Sequence, residues 1–399
     1  MLLITLDTTR YNALGCYGNP ADPTPNIDRL AAEGVLYSRA RSVTPLTLPA
    51  HTSMLTGLYP NRHSVFANGL NSVPQSASTL AELARAQCDA QTSAFVASIV
   101  LDESFELDQG FETYEGAPRE SSGPGGLRGL PAPEIVARAT RWLDARDRDR
   151  PFFTWMHFYD AHTPWNPPPE LAERMRSQYL GEVAFIDQSL GPLFDHLRAD
   201  GTLAETLVIV VGDHGESFNA HGEPTHGWYC YDGTLRVPFI LRYPDGFRAG
   251  TKSDELVSVV DVYPTALAAF GLAPPPDLDG VDLYRAEVPA ERGVYFESYN
   301  GWLSFGWSPI VGWCDARGKY IHSSSPEFFD VIGDKQENKN VIAERGADVE
   351  RALRSLRGIQ ARRKLSIDAV PVVDQDMRDA LKSLGYVGAD APLRALPDP

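Results

Sequence analysis

Three short stretches of this chain end in groups that bind metals or move protons. "LLITLD" closes on Asp7, "WMHFYDAH" on Asp160 and His162, and "VIVVGDHG" runs into Asp213 and His214. Each acid follows an apolar run of strand type, where it ordinarily serves a turn or a cap. Three such endings on one sheet edge change the reading. Carboxylates gathered there repel unless a cation lies among them, and aspartate oxygens with imidazole nitrogens suit Zn²⁺ or Mn²⁺. Asp213 and His214 are adjacent and can both turn into one site, with Gly215 easing the sharp backbone path this needs.

A fourth stretch, "TPLTLPAHTSMLTG" (residues 44–57), carries a hydroxyl instead of an acid. Pro49 suits a first helical turn, because its missing N–H would be unpaired there anyway. Judged locally, Thr47 caps this helix and His51 lies on its first turn as a surface residue. The chemical alternative is that the helix start offers free N–H groups and a positive dipole end to a phosphoryl or sulfuryl group. A threonine hydroxyl held by a metal at that point would be acidified into a nucleophile.

The elements that must position these groups follow from periodicity. Strand-type runs at 1–6, 92–98, 152–158, 206–212 and 237–243 alternate with helical patterns near 26–34, 78–87, 132–147, 178–199 and 260–270. That alternation predicts an α/β fold, a large and mostly parallel sheet flanked by helices. Ligands bind at the carboxyl ends of the strands in such sheets, which is where the acids lie. The Gly/Pro/Ser-rich stretch 121–133 reads as a surface loop. After about residue 290 the pattern changes to short strands ("GVYFES", "GKYIHS"), two polar helices (346–363 and 375–384) and a Pro-rich tail. We expect a catalytic core over 1–290 and a smaller α+β subdomain over 291–399.

Composition removes several function classes. A formal net charge of −17 with no basic stripe argues against a nucleic-acid polymer as partner. A small anionic ester remains compatible, since metal ions and helix N-termini reverse the local sign. The 4 cysteines are scattered with no CxxC pair, so structural zinc and disulfides are not expected. No apolar run approaches the roughly 18 residues of a membrane span. The opening "MLLITLD" lacks the charged leader of a signal peptide. The chain is expected to be cytoplasmic if complete, and periplasmic or secreted if an N-terminal signal was removed. Nothing in it sets an oligomeric state.

Taken together, "LDTTRYNALGCYG", "TLPAHTSMLTG", "SVFANGLN", "AFVASIVLDESFELDQGFETYEG", "GDHGESFNAHGEPTHGWYCYDGTLRVPFILRYP" and "LKSLGYVG" resemble the alkaline-phosphatase superfamily, and within it the sulfatase-like hydrolases. The resemblance implies that superfamily's fold. Sulfatases carry Cys-x-Pro-x-Arg; here Thr47 stands at the cysteine position, His51 at the arginine, and Thr8 where many sulfatases have a second aspartate. Their cysteine or serine is oxidised to formylglycine, which requires a CH₂. Thr47 has a methyl in place of one of those hydrogens, so oxidation would give a ketone, and no formylglycine is expected. The Thr-x-Pro-x-His frame is similar to that of the nucleotide pyrophosphatase/phosphodiesterases, as is "GLYPNRH" (57–63). Lipoteichoic acid synthases and lipid-A phosphoethanolamine transferases also use a metal-bound threonine.

By that resemblance Asp7, Thr47, Asp213 and His214 hold one divalent cation, Zn or Mn. Asp160, His162 and His226 would hold a second metal or contact substrate. Asn68 and Arg10 would bind substrate, and His51 would orient the Thr47 hydroxyl or touch substrate. His157 is expected to be a core histidine, His221 a loop residue and Cys230 a small buried apolar group. The implied activity is metal-dependent hydrolysis of a phosphodiester, phosphonate or phosphomonoester through a phosphothreonine on Thr47. Sulfate-ester hydrolysis without formylglycine comes second, and phospho-headgroup transfer third. A non-catalytic binding module would lack ligands, and this set is complete.

Overall fold

A computed structural model describes residues 1–117, 129–285, 287–366, 377–379 and 381. Its larger sheet is built from β1 (Leu2–Leu6), β2 (Val35–Arg41), β3 (Gln91–Val96), β4 (Thr113–Glu115), β5 (Phe152–Phe158), β6 (Val208–Gly212), β7 (Phe239–Arg242) and β8 (Thr251–Ser258). A second, antiparallel sheet holds β9 (Val294–Ser298), β10 (Ile310–Asp315), β11 (Gly318–His322) and β12 (Glu327–Phe329). The strand orders are β4-β3-β5-β1-β6-β7-β2-β8 and β12-β11-β10-β9.

The five strands read from sequence are present, but β7 runs antiparallel to both its neighbours, β6 and β2. Between β6 and β7 the chain holds only the short helical pieces Ala220–Gly222 and Asp232–Leu235, with no long crossover helix packed on the sheet, and it returns antiparallel. β2 and β8 escaped the periodicity reading because "VLYSRAR" carries two arginines and "TKSDELVS" is a polar edge strand. Residues 121–128 of the Gly/Pro/Ser-rich stretch, most of the expected helix 375–384 and the Pro-rich tail lie outside the described residues. Among the described residues, no helix is long and apolar enough to cross a membrane.

β1 is buried along its whole length, as a central parallel strand covered on both faces should be. Alternation then sorts its side chains. Leu2, Ile4 and Leu6 pack with Ile135, Ala139, Ile186 and Leu190 of the long helices Ala132–Ala145 and Gln178–Ala199. Leu3 faces the other way, with Trp155, Ile209, Val211 and the helix Thr47–Thr56. Period two carries Thr5 and Asp7 onto that second face, and Trp155 and His157 of β5 follow the same rule. In register, Thr5 lies beside His157, and Leu6 beside Gly212. Asp7 and Asp213 therefore leave adjacent strand ends at neighbouring positions, about 4.8 Å apart by strand spacing.

All ten residues of the helix Thr47–Thr56 are buried. Leu48, Met54 and Leu55 each contribute about 1.5–3 kcal/mol by leaving water. That burial offsets the cost of burying Thr47, His51, Thr52 and Ser53, provided each finds a partner.

Candidate active site

The Thr47 hydroxyl caps nothing. Leu46 is the N-cap residue, extended at φ −139 and ψ 138, and Thr47 is the first helical residue. The Leu48 N–H instead donates to Asn68 Oδ1 at 2.8 Å, so a side chain twenty residues on closes the helix start. Thr47 Oγ1 lies 3.3 Å from His214 Nε2 and 3.5 Å from Asp7 Oδ2. The local reading of Thr47 as a cap is corrected: its hydroxyl faces the carboxylates.

Hydrogen bonds to backbone groups define the proton positions around it. His51 donates from Nδ1 to the Thr47 carbonyl (2.8 Å), and its Nε2 accepts from Thr5 Oγ1 (3.0 Å). Thr5 Oγ1 in turn accepts from Trp155 Nε1 at 2.9 Å. His51 thus reaches Thr47 through its backbone, not its hydroxyl. Neither is it a surface residue, since it is fully buried. Burial, with His157 alongside, pushes its pKa down to about 3, and the ring is neutral.

His157 is buried as expected, but it is more than core. Its Nδ1 accepts the Ala97 N–H (3.3 Å), which leaves the proton on Nε2 to be donated to Asp7 Oδ2 at 3.2 Å. Such a bond orients a ligating carboxylate. The signal was present in the strand period, which puts Trp155 and His157 on the face that Thr5 and Asp7 share.

Two groups of side chains come close enough to hold an ion: Asp7, Asp213 and His214, and His51, His157 and Asp213. The second fails on proton accounting, because all four of its ring nitrogens are engaged. The first fits. Asp7 Oδ1 and Asp213 Oδ2 are buried without a hydrogen-bond partner. His214 donates from Nδ1 to the Gly215 carbonyl (3.1 Å), so its Nε2 offers a lone pair on the Thr47 side. Each orphaned polar atom costs about 1–3 kcal/mol, more when charged. A divalent cation among two carboxylates, one imidazole and a hydroxyl would satisfy all of them.

Asp213 is held for this by two N–H donors on its other oxygen, from His214 (2.6 Å) and Thr8 (3.2 Å). Thr8 makes the bend after β1 at φ 49, a strained value for a β-branched residue. Its own Oγ1 is buried and unpartnered. Gly215 serves close approach more than a sharp turn. Its N–H donates to the Thr234 carbonyl at 2.6 Å, and a Cβ there would collide with the Gly233 carbonyl.

His162 and His226 join the cluster. The His162 ring lies 5.1 Å from that of His226, which lies 4.6 Å from that of His214. His162 donates from Nδ1 to the Thr163 carbonyl (2.6 Å), and its buried Nε2 has no partner. Burial lowers its pKa to about 4. His226 donates from Nδ1 to Glu216 Oε2 at 3.3 Å. Burial alone would lower its pKa, but Glu216 overrides that and raises it. Asn68 Nδ2 is likewise a buried donor without an acceptor.

Asp160 and Arg10 are placed differently. Asp160 Oδ1 accepts the Ala132 N–H at 2.9 Å, at the start of the helix Ala132–Ala145, the role an acid after a strand ordinarily takes. Burial pushes its carboxyl up to about 7. Arg10 donates to the Glu216 carbonyl (3.0 Å) and to Asn12 Oδ1 (3.1 Å), and its guanidinium lies over the Phe218 ring. It braces the segment after His214, where Phe218, Asn219 and His221 all hold positive φ.

With this geometry in hand, known proteins place the chain. The Sulfatase family model matches residues 1–272, and the model for the C-terminal region of N-sulphoglucosamine sulphohydrolase matches residues 224–359. N-acetylgalactosamine-6-sulfatase of Homo sapiens is 27% identical over 342 residues, which cover 71% of this chain and 64% of the relative. This chain thus spans less than two thirds of that protein. The uncharacterized sulfatase YidJ of Escherichia coli (strain K12) is 26% identical over 424 residues, covering 87% of this chain and 84% of its own. Among solved structures, a phosphonate monoester hydrolase of Agrobacterium radiobacter matches with a TM-score of 0.76 at 22% identity, over 90% of this chain and 95% of that one. A protein solved with its substrate D-glucosamine-2-N,6-O-disulfate matches at 0.77 and 19% identity, over 90% and 97%. At those identities the structural likeness shows the fold.

Proposed function

This chain belongs to the sulfatase family, and from that premise we propose that it is a metal-dependent hydrolase of phosphorus esters with Thr47 as nucleophile. One observation carries the reading. Thr47 Oγ1, released from any capping duty, lies beside Asp7 and His214 at the start of a buried helix. Thr47 cannot become formylglycine, which supports the unmodified hydroxyl as the attacking group.

A cation held by Asp7, Asp213, His214 and Thr47 Oγ1, zinc or manganese by its donor set, would supply the Lewis acidity that acidifies the hydroxyl and screens an anionic ester. The side chains do the rest. Asn68 Nδ2 and His226 offer donors to the non-bridging oxygens, in a site where preorganised donors act strongly. Thr47 Oγ1 forms a bond to phosphorus as the bond to the leaving oxygen breaks, and the departing alcohol takes a proton. Water then attacks phosphorus, Thr47 leaves with a proton, and the products are the acid and the alcohol. His162 Nε2, unprotonated and unpartnered, suits the acceptor role in the second step. A second metal at His162 and His226 is the other use of those nitrogens, without Asp160. The ester expected is small and anionic.

Sulfate-ester hydrolysis by the same threonine is the second reading, supported by the family match and by the sulfatases among the relatives. The deciding experiment is metal analysis of the purified protein, followed by turnover of nitrophenyl phosphate, phosphodiester, phosphonate and sulfate esters. Phosphorus esters should be turned over, with a phosphothreonine at residue 47 trapped by acid quench and located by mass spectrometry. Turnover of sulfate alone would overturn the first reading.

A further inference from the structure

Asn68 lies between the helices Pro60–His63 and Leu80–Cys88, in a run where no described residue joins a helix or strand. Contacts from outside must therefore fix its backbone, and the far end of the chain supplies several. Arg62 Nε donates to the Arg363 carbonyl (3.0 Å), the Leu365 N–H to the Arg62 carbonyl (2.7 Å) and Ser64 Oγ to the Leu365 carbonyl (2.8 Å). Further along, Met377 and Leu381 are both buried in the core that also holds Leu48. Leu381 meets the chain at Gly69. That glycine holds φ +76, and a Cβ on it would stand 2.8 Å from Leu381 Cδ1, closer than two carbons can pack.

We propose that Leu381 is a positioning residue for the reaction, a wedge that fixes the Asn68–Gly69 backbone and so aims Asn68 at the substrate. The proposal rests on the reading of Asn68 as a donor to the reacting ester. Asn68 is engaged at one end only: Oδ1 accepts the Leu48 N–H at 2.8 Å, and Nδ2 is buried with no acceptor. With Oδ1 committed, the place of the Asn68 Cα decides where Nδ2 points. Gly69 cannot hold that place by itself, because a residue without a side chain is the least restrained in the chain. Packing atoms must do it, and Leu381 brings them to the glycine's open side. Misplacing a substrate-contacting group by about 1 Å can cost about 100-fold in rate. A leucine that touches no reacting atom thereby controls turnover.

The test is a double-mutant cycle with Asn68→Ala, on whichever nitrophenyl ester, phosphorus or sulfate, the full chain turns over. Leu381→Ala should lower kcat about 10–100-fold with KM little changed. Leu381→Met, which refills the space, should recover most of that loss. In the Asn68→Ala background the same Leu381→Ala change should cost only about twofold, because the group it positions is gone. An equal loss in both backgrounds overturns the proposal. A second arm needs no turnover and follows the Leu48 N–H by hydrogen exchange. Leu381→Ala should speed that exchange about tenfold or more and leave the Gly57 N–H, bonded to the Ser53 carbonyl at the other end of the helix, within about twofold. Equal acceleration at both ends, or an unchanged Leu48 rate, overturns the proposal. Because this arm reads the wedge directly, its failure is distinguishable from failure of the hydrolase reading. If Leu381→Ala does not fold, Leu381→Val, one methylene smaller, is read in the same way with smaller shifts.

Discussion

Removing the Thr47 oxygen and removing only its methyl group should have very different effects. Thr47→Ala is expected to lower turnover by on the order of 10³–10⁶-fold. Its unfolding midpoint should barely move, because the hydroxyl satisfies no backbone N–H. Thr47→Ser keeps the oxygen beside Asp7 and His214 and should retain activity within about tenfold, with a phosphoserine now trapped on quenching. A Thr47→Ala enzyme of undiminished activity would end the mechanism. His157 tests the site differently. Replacing it with phenylalanine strips Asp7 Oδ2 of its imidazole donor while keeping a buried ring. Metal affinity should fall about 10–100-fold, as losses of such supporting bonds do, in a competition titration against a chelator. Unchanged affinity would make His157 a packing residue only. At this scale the sequence was half legible. Asp7, Asp213 and His214 announced themselves as donors after apolar runs. His157 did not, because its partners, Asp7 and the Ala97 N–H, belong to β1 and the end of β3.

Elements carry a pH dependence. Glu297, on β9, is 1% exposed, with one oxygen accepting from Tyr295 at 2.5 Å and the other unpartnered. Burial pushes its carboxyl up to about 7, against the opposing pull of Tyr295 and Lys364. An acid whose folded pKa is raised favours the folded state while protonated. Its stabilising contribution therefore holds at low pH and is lost as pH rises from about 4.5, the ordinary glutamate value, through 7. Glu297→Gln should leave the melting temperature unchanged near pH 4 and raise it at pH 8, by on the order of 1–3 kcal/mol of stability. An equal effect at both pH values would show that Glu297 is not ionised within the fold. Element type followed from periodicity, since β1, β3, β5 and β6 and the five helices read from sequence are all present. Strand direction did not, because whether β7 returns antiparallel depends on the path between strands, which its own residues do not encode.

For the whole molecule, the two sheets are joined by buried charges. Lys319 of β11 lies 3.0 Å from Asp232 and 2.8 Å from Glu337, and Arg41 of β2 pairs with Asp232 at 2.7 Å. Desolvation opposes each of these charges, and the neighbouring cations nonetheless hold the Asp232 carboxyl well below the usual range. Lys319→Met would leave two buried carboxylates facing one arginine. Breaking such a network costs about 3–5 kcal/mol, to be read from denaturant unfolding, and a loss below about 1 kcal/mol would show that the cluster admits water. By itself the sequence determined the α/β architecture, the acids at strand ends, the sulfatase-like frame and the absence of a formylglycine precursor at Thr47. Those follow from side-chain type and short spacing. Only the tertiary structure decided that Thr47 caps nothing, that His51 donates to the Thr47 backbone and accepts from Thr5, and that Asp160 caps a helix. It also decided that Gly69 and Leu381, far apart in the chain, face one another. A hydrogen bond or a packing contact depends on which surfaces burial brings together, and residue spacing fixes that only within one strand or one helix.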